Sequence, residues 1–194
     1  MPIFSKMKHQ HYIIHKPYGY LSQFIYEQKR NKKLLGELYA FAEGTMAIGR
    51  LDEDSEGLLL LTTDGKVSEK VRSKKVDKEY YVQVDGIITN EAIQQIKKGV
   101  EIGFEGQKYM TLPCEASKIE VPNFAPRSKK IRDERHGPTS WASITVNEGK
   151  FRQVRKMTAA VGFPTLRLVR VRIGNVHLSD LKSGEVVEVT DFSI

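Results

Sequence analysis

One cysteine, Cys114, stands in the whole sequence, so no disulfide can form within the chain and the lone thiol reads as a small core residue. Long apolar runs are missing too. The four consecutive leucines Leu58–Leu61 are too few for a membrane helix, but enough for a strand buried on both faces. The opening MPIFSKMKHQHYIIHK carries no extended apolar core and no cleavage-like site, so residues 1–10 read as a short tail ahead of a strand and not as a targeting signal. Low-complexity tracts, short-period repeats, a P-loop and a GxGxxG turn are all lacking, which removes the usual nucleotide-binding signatures. His9, His11 and His15 have no Cys or carboxylate cluster beside them, and no metal site is expected there. These absences favour a cytoplasmic chain with no membrane span and no cofactor.

What is present is a basic chain of 194 residues, with 31 Lys and Arg against 24 Asp and Glu and a net charge of +7. That length supports one domain with a sizeable core, or two tightly joined halves. The basic excess favours a polyanionic partner without specifying one.

The stretch around which the rest is arranged is AIGRLDEDSEGLLLLTTDG, Ala47 to Gly65. An apolar segment breaks into the acidic turn DEDSEG and returns as the four leucines. The turn therefore emerges from a hydrophobic core with Arg50 just before it, an arrangement that either holds a reactive side chain rigidly or forms a solvated turn.

Along the chain, Tyr12–Ile14 reads as a strand ended by the turn KPYG, and Leu34–Phe41 as a short helix. Val67–Ser73 reads as another helix. In KEYYVQVDG, Tyr80, Val82 and Val84 alternate with polar neighbours, so Tyr80 lies on the apolar face of a half-buried strand, either as a core residue or as the wall of a pocket. Asn90–Gly99 is a helix capped by Asn90 and ended by Gly99. Residues 121–139 form a long polar loop with three prolines and the run RSKKIRDER, whose surplus is +3. It is either a solvated loop or an RNA-contacting arm that orders on binding, with Arg127, Lys129 and Lys130 as its contacts. Trp141–Val146 is a strand. Phe151–Val161 is a helix that places Arg152, Arg155 and Lys156 on one face, suited to solvent or to a negative partner. Leu166–Ile173 is a strand, and Gly174–Val189 a terminal hairpin.

The phrase GRLDxDSEGLLLLTxDG resembles the signature of the RsuA/RluE group of ribosomal RNA pseudouridine synthases, and the likeness runs from about Tyr12 to Val189. KPYG, KxYxV and EGxxRQVRxM resemble further motifs of that family. PTSW (138–141) and MTAAVGFPTLRLVR (157–170) look most like its RluE branch, which acts on 23S ribosomal RNA. Two departures are Phe151, where the family usually has Asn, and Lys156, where it usually has Arg.

The resemblance implies an α+β fold: a mixed, mainly antiparallel sheet in two joined halves with the active-site cleft between them. Residues 11–194 would form the catalytic domain, without the small S4 RNA-binding domain that many relatives carry. It also implies isomerisation of a uridine in 23S RNA by a monomer without cofactor. Asp52 would be the catalytic carboxylate, Arg155 its partner, and Tyr80 the ring against the uracil. Leu168 would wall the pocket. Lys16, Lys78, Arg127, Lys129, Lys130, Arg152 and Lys156, with Arg50, would meet the RNA. Two alternatives are a non-catalytic RNA-binding assembly module, and a metal-dependent nuclease using Asp52, Asp54, Glu56 and Asp64.

Overall fold

The computed structural model describes residues 8–26, 31–73 and 76–194. Residues 1–7 of the expected N-terminal tail lie outside the described residues. In chain order the elements begin with β1 (His11–Lys16), β2 (Tyr20–Leu21), β3 (Lys33–Leu34), β4 (Met46–Ile48), β5 (Glu56–Thr62), α1 (Gly65–Ser73), β6 (Lys78–Asp85) and α2 (Asn90–Lys98). They continue with β7 (Glu101–Phe104), β8 (Gln107–Met110), β9 (Glu115–Ile119), β10 (Thr139–Val146), α3 (Gln153–Ala160), β11 (Thr165–Ile173), β12 (Val176–His177) and β13 (Val186–Val189).

Among the described residues, nine strands make one sheet with the path β13-β1-β5-β11-β6-β10-β9, to which β4 and β12 attach. Its pairings are antiparallel except for β5 with β11, where Val169 and Arg170 run parallel to Glu56 and Gly57. This seam joins the two halves, giving the α+β, mainly antiparallel architecture expected.

Alternation along β5 explains why the leucine run is buried throughout. Leu58 and Leu60 enter one apolar cluster with Val169 and Ile173, while Leu59 and Leu61 enter another with Tyr12 and Ile14. The other half packs α2 and α3 on β6 and β10 through Val82, Ile96, Ile144 and Met157. Gly57 makes the seam possible. Its φ is +107°, and a Cβ there would lie 2.3 Å from the Arg170 carbonyl oxygen. Beside it the buried Glu56 carboxylate takes two bonds from Arg167, at 2.8 and 2.9 Å.

Several local expectations are corrected. Residues 34–41 do not form a helix; β3 leads into one 3₁₀ turn, Leu35–Glu37. The cap of α2 is Thr89, whose hydroxyl accepts from the Ala92 N–H, and not Asn90. The helix expected at Phe151 starts at Gln153, because Arg152 sits in the left-handed region at φ +53°. The C-terminal segment is not a hairpin: β12 pairs with β11, and β13 returns to β1. The 121–139 loop is not a free arm. Phe124 packs against Tyr81 and Trp141, Arg127 stacks over Tyr18 at 4.4 Å, and Arg132 pairs with Asp85. Lys129 and Lys130 remain exposed. No helix of the described residues is long and apolar enough to cross a membrane.

Candidate active site

The acidic turn owes its shape to backbone bonds at its ends. The Ser55 N–H donates to the Asp52 carbonyl at 3.0 Å, closing a tight turn ahead of β5. Upstream, the Ser22 hydroxyl accepts from the Leu51 N–H at 2.9 Å and donates to the Leu51 carbonyl at 2.8 Å. Leu51 is itself buried, so the residue before Asp52 is fixed by packing and by both of its peptide groups.

Two arginines of α3 and its cap meet this turn. Arg152 Nη1 lies 3.2 Å from Asp52 Oδ2 and 3.0 Å from Asp54 Oδ1, and Nη2 lies 2.9 Å from Asp54 Oδ2. Arg155 Nη2 donates to the Asp54 carbonyl at 2.9 Å and to the Ser55 hydroxyl at 3.1 Å. Burial by itself would raise the Asp54 carboxyl, but the Arg152 bonds and the Arg155 charge outweigh it and hold Asp54 below the usual carboxylate range.

Asp52 and Arg152 lie on the wall of a cavity of about 420 Å³, with Arg50, Lys78, Tyr80 and Leu168. Its lining includes six cations and two carboxylates, so the cavity favours an anionic ligand with an apolar, flat moiety against Tyr80 and Leu168. Lys78 is half-buried and donates from Nζ to the Val76 carbonyl; burial, then the nearby Arg170 charge, lowers its pKa. Arg170 lies in the floor, nearly fully buried, with Nε donating to the Leu58 carbonyl at 2.8 Å.

A carboxylate at the edge of a cation-lined cavity is shared by several chemistries, and comparison with known proteins narrows them. Residues 10–160 match the family model described as RNA pseudouridylate synthase. The chain belongs to this family. It is 42% identical over 179 residues to ribosomal large subunit pseudouridine synthase E of Vibrio parahaemolyticus, covering 91% of this chain and 72% of that protein. It is 41% identical over 172 residues to the enzyme of the same name from Xanthomonas axonopodis, covering 87% and 88%. A crystal structure of a pseudouridylate synthase superimposes with a TM-score of 0.72 at 25% identity, covering 93% of this chain and 70% of that one.

In this pseudouridine synthase the cavity collects six residues singled out from the sequence: Asp52, Arg50, Tyr80, Leu168, Lys78 and Arg152. Others fall elsewhere. The Asp52 carboxylate is hydrogen-bonded by Arg152, whose φ is +53°, whereas Arg155 meets the neighbouring residues, at the Asp54 carbonyl, the Ser55 hydroxyl and, at 3.5 Å, the Asp54 carboxylate. Lys16 cannot meet RNA. It is 0% exposed, and its Nζ donates to the carbonyls of Pro17, Tyr20 and Glu53. Lys156 is not part of the cavity's lining; it donates to the Gly103 carbonyl at 2.7 Å and lies over the Phe151 ring. Arg127 is engaged with Tyr18 and the Leu166 carbonyl. Of the three cations expected on one open helical face, Arg152 and Arg155 both engage the acidic turn at Asp54, and Lys156 a backbone carbonyl. Ser22 and Arg170 carry no sequence signal as site residues, and Asp54 enters the sequence reading only as a carboxylate of the metal-dependent alternative.

Proposed function

We propose that the chain converts a uridine of the large ribosomal subunit's RNA, 23S RNA, into pseudouridine, with Asp52 as the catalytic carboxylate. The observation that carries this reading is the placement of Asp52, pinned at Leu51 and paired with Arg152, on the same cavity wall as Tyr80 and Leu168. The substrate class is supported by the names of its relatives and by the chain's net charge of +7.

A stacked uridine cannot reach this cavity, so the nucleotide flips out at a cost of roughly a few kcal/mol, offset by phosphate contacts and by stacking. The uracil then lies against Tyr80 with Leu168 as the opposite wall, while Arg50 and Lys78 hold the sugar-phosphate. Asp52 attacks C1′, or takes a proton from C2′ to give a glycal, and the N1–C1′ bond breaks with its electron pair on N1. The uracil rotates and C5 bonds to C1′, displacing the Asp52 carboxylate in the first route or, in the glycal route, as Asp52 returns its proton to C2′. C5 then loses its proton and N1 gains one, so the elements balance without an oxidant or a group donor. Arg152, 3.2 Å from Asp52 Oδ2, holds the carboxylate in place.

The test uses large-subunit RNA tritiated at uridine C5. Wild-type protein should release the tritium, and Asp52→Asn should release none while unfolding at the wild-type temperature, because an amide neither attacks nor accepts the proton. Turnover by the variant would remove Asp52 from the chemistry. Absence of release by the wild type, with the RNA still bound, would favour the non-catalytic assembly reading.

A further inference from the structure

A second cavity, of about 430 Å³, adjoins the first and shares Arg50, Leu51, Asp52, Phe151 and Arg152 with it. Its remaining wall comes from residues 21–23, Tyr26 and Glu53. Phe151 belongs to both linings and is 66% exposed, a large apolar ring left in solvent beside the candidate catalytic carboxylate. Neither packing nor capping accounts for it: it precedes the left-handed Arg152 and lies outside α3. Lys156 Nζ lies 5.5 Å from the ring centroid, and Arg50 and Arg152 line both cavities with it.

We propose that Phe151 is a stacking platform for the nucleobase adjacent to the target uridine, with the second cavity as the seat of that neighbouring nucleotide. The inference rests on the RNA-isomerase reading above. A uridine drawn into the first cavity leaves its neighbour in the strand without a stacking partner. An exposed aromatic face at the rim supplies one regardless of base identity, and the adjacent cations meet the phosphates on either side. Because the two cavities share Asp52 and Phe151, their occupants lie side by side, which commits the second occupant to a base of the same strand.

The probe is a single-stranded RNA heptamer with one central uridine, made intact or with an abasic ribose on either side of that uridine, and binding is read by fluorescence anisotropy. Phe151→Ala should weaken binding of the intact heptamer by about 5- to 150-fold, the range for one base–aromatic stack, and Phe151→Trp should restore it. One of the two abasic heptamers should bind wild type and Phe151→Ala equally. The same penalty on intact and abasic RNA, no penalty, or no binding of the heptamer would each overturn the platform. Tritium release from large-subunit RNA is measured alongside. Release by wild type without the stacking coupling retires Phe151 alone, whereas coupling without release retires the isomerase reading and keeps a base-binding seat.

Discussion

Arg152 holds two carboxylates at once, giving one nitrogen to Asp52 at 3.2 Å and a two-point grip to Asp54 at 2.9 and 3.0 Å. Arg155, one turn along, binds the backbone of the same loop at the Asp54 carbonyl. Of the two, Arg152 alone reaches the Asp52 carboxylate, while both arginines fix the turn that carries it through Asp54.

This division predicts different consequences for their loss. The Arg152 side chain is about a third exposed, so its ion pairs contribute only about 0–1 kcal/mol to folding, whereas their effect on a reacting carboxylate is on the order of 10²- to 10³-fold in rate. Arg152→Asn suits the left-handed backbone and should lose that rate with little change in unfolding free energy. Arg155→Ala strips donors from a buried hydroxyl and a loop carbonyl, and should cost about 1–3 kcal/mol in stability as well as rate. Urea unfolding beside single-turnover tritium release separates the two. A wild-type rate for Arg152→Asn would dismiss the pairing as incidental.

The seam between the halves makes a backbone prediction. Gly57 and Gly49 both have positive φ, +107° and +73°, but a Cβ at Gly49 meets nothing within 4 Å while one at Gly57 would lie 2.3 Å from the Arg170 carbonyl. Gly49→Ala should cost only the left-handed penalty, about 1–2 kcal/mol. Gly57→Ala must also force β11 away from β5, adding about 1–3 kcal/mol, and should lower soluble yield. Equal melting temperatures for the two variants would show that the seam yields easily.

These relationships mark the limit of what the sequence made legible. Period-two alternation in β6 and β11, the all-apolar run of β5 and the Gly99 stop after α2 follow from short-range chemistry and were readable. The residues of the cavity were readable through the motif phrases, since Asp52, Tyr80 and Leu168 each sit in one. Pairings across long separations were not. Nothing near Val186 tells that it returns to Ile14, and nothing near Ser22 tells that its hydroxyl fixes Leu51. Arg152 defeated a helical-face argument because its φ is positive, a property that local pattern does not encode for an arginine. Lys16 misled for a related reason. A lysine beside a KPYG turn looks solvated until the second turn, at Glu53, folds over it.

That enclosure sets the pH dependence of stability. The Lys16 ammonium ties the KPYG turn to the acidic turn through the Pro17, Tyr20 and Glu53 carbonyls, at 2.9, 2.7 and 3.4 Å. Burial pushes its pKa down to about 7, against the pull of Glu56, Asp54, Asp52 and Glu53. In the unfolded chain the group titrates near its ordinary value of 10.5. Between those two values the unfolded state binds the extra proton, so the contribution of Lys16 to stability rises with pH through that window and is least below it. Lys16→Met removes the titration together with the donor. The stability advantage of wild type over Lys16→Met should therefore widen from about pH 7 to pH 10, by up to ~1.4 kcal/mol per pH unit. Urea unfolding of both proteins across that range, with a reductant present for Cys114, measures the slope directly. A flat difference would mean that the ammonium titrates as if solvated. A difference that narrows with rising pH would mean that the acids around Asp52 hold the charge in place, making Lys16 their ion-pair partner and the acidic turn dependent on its proton.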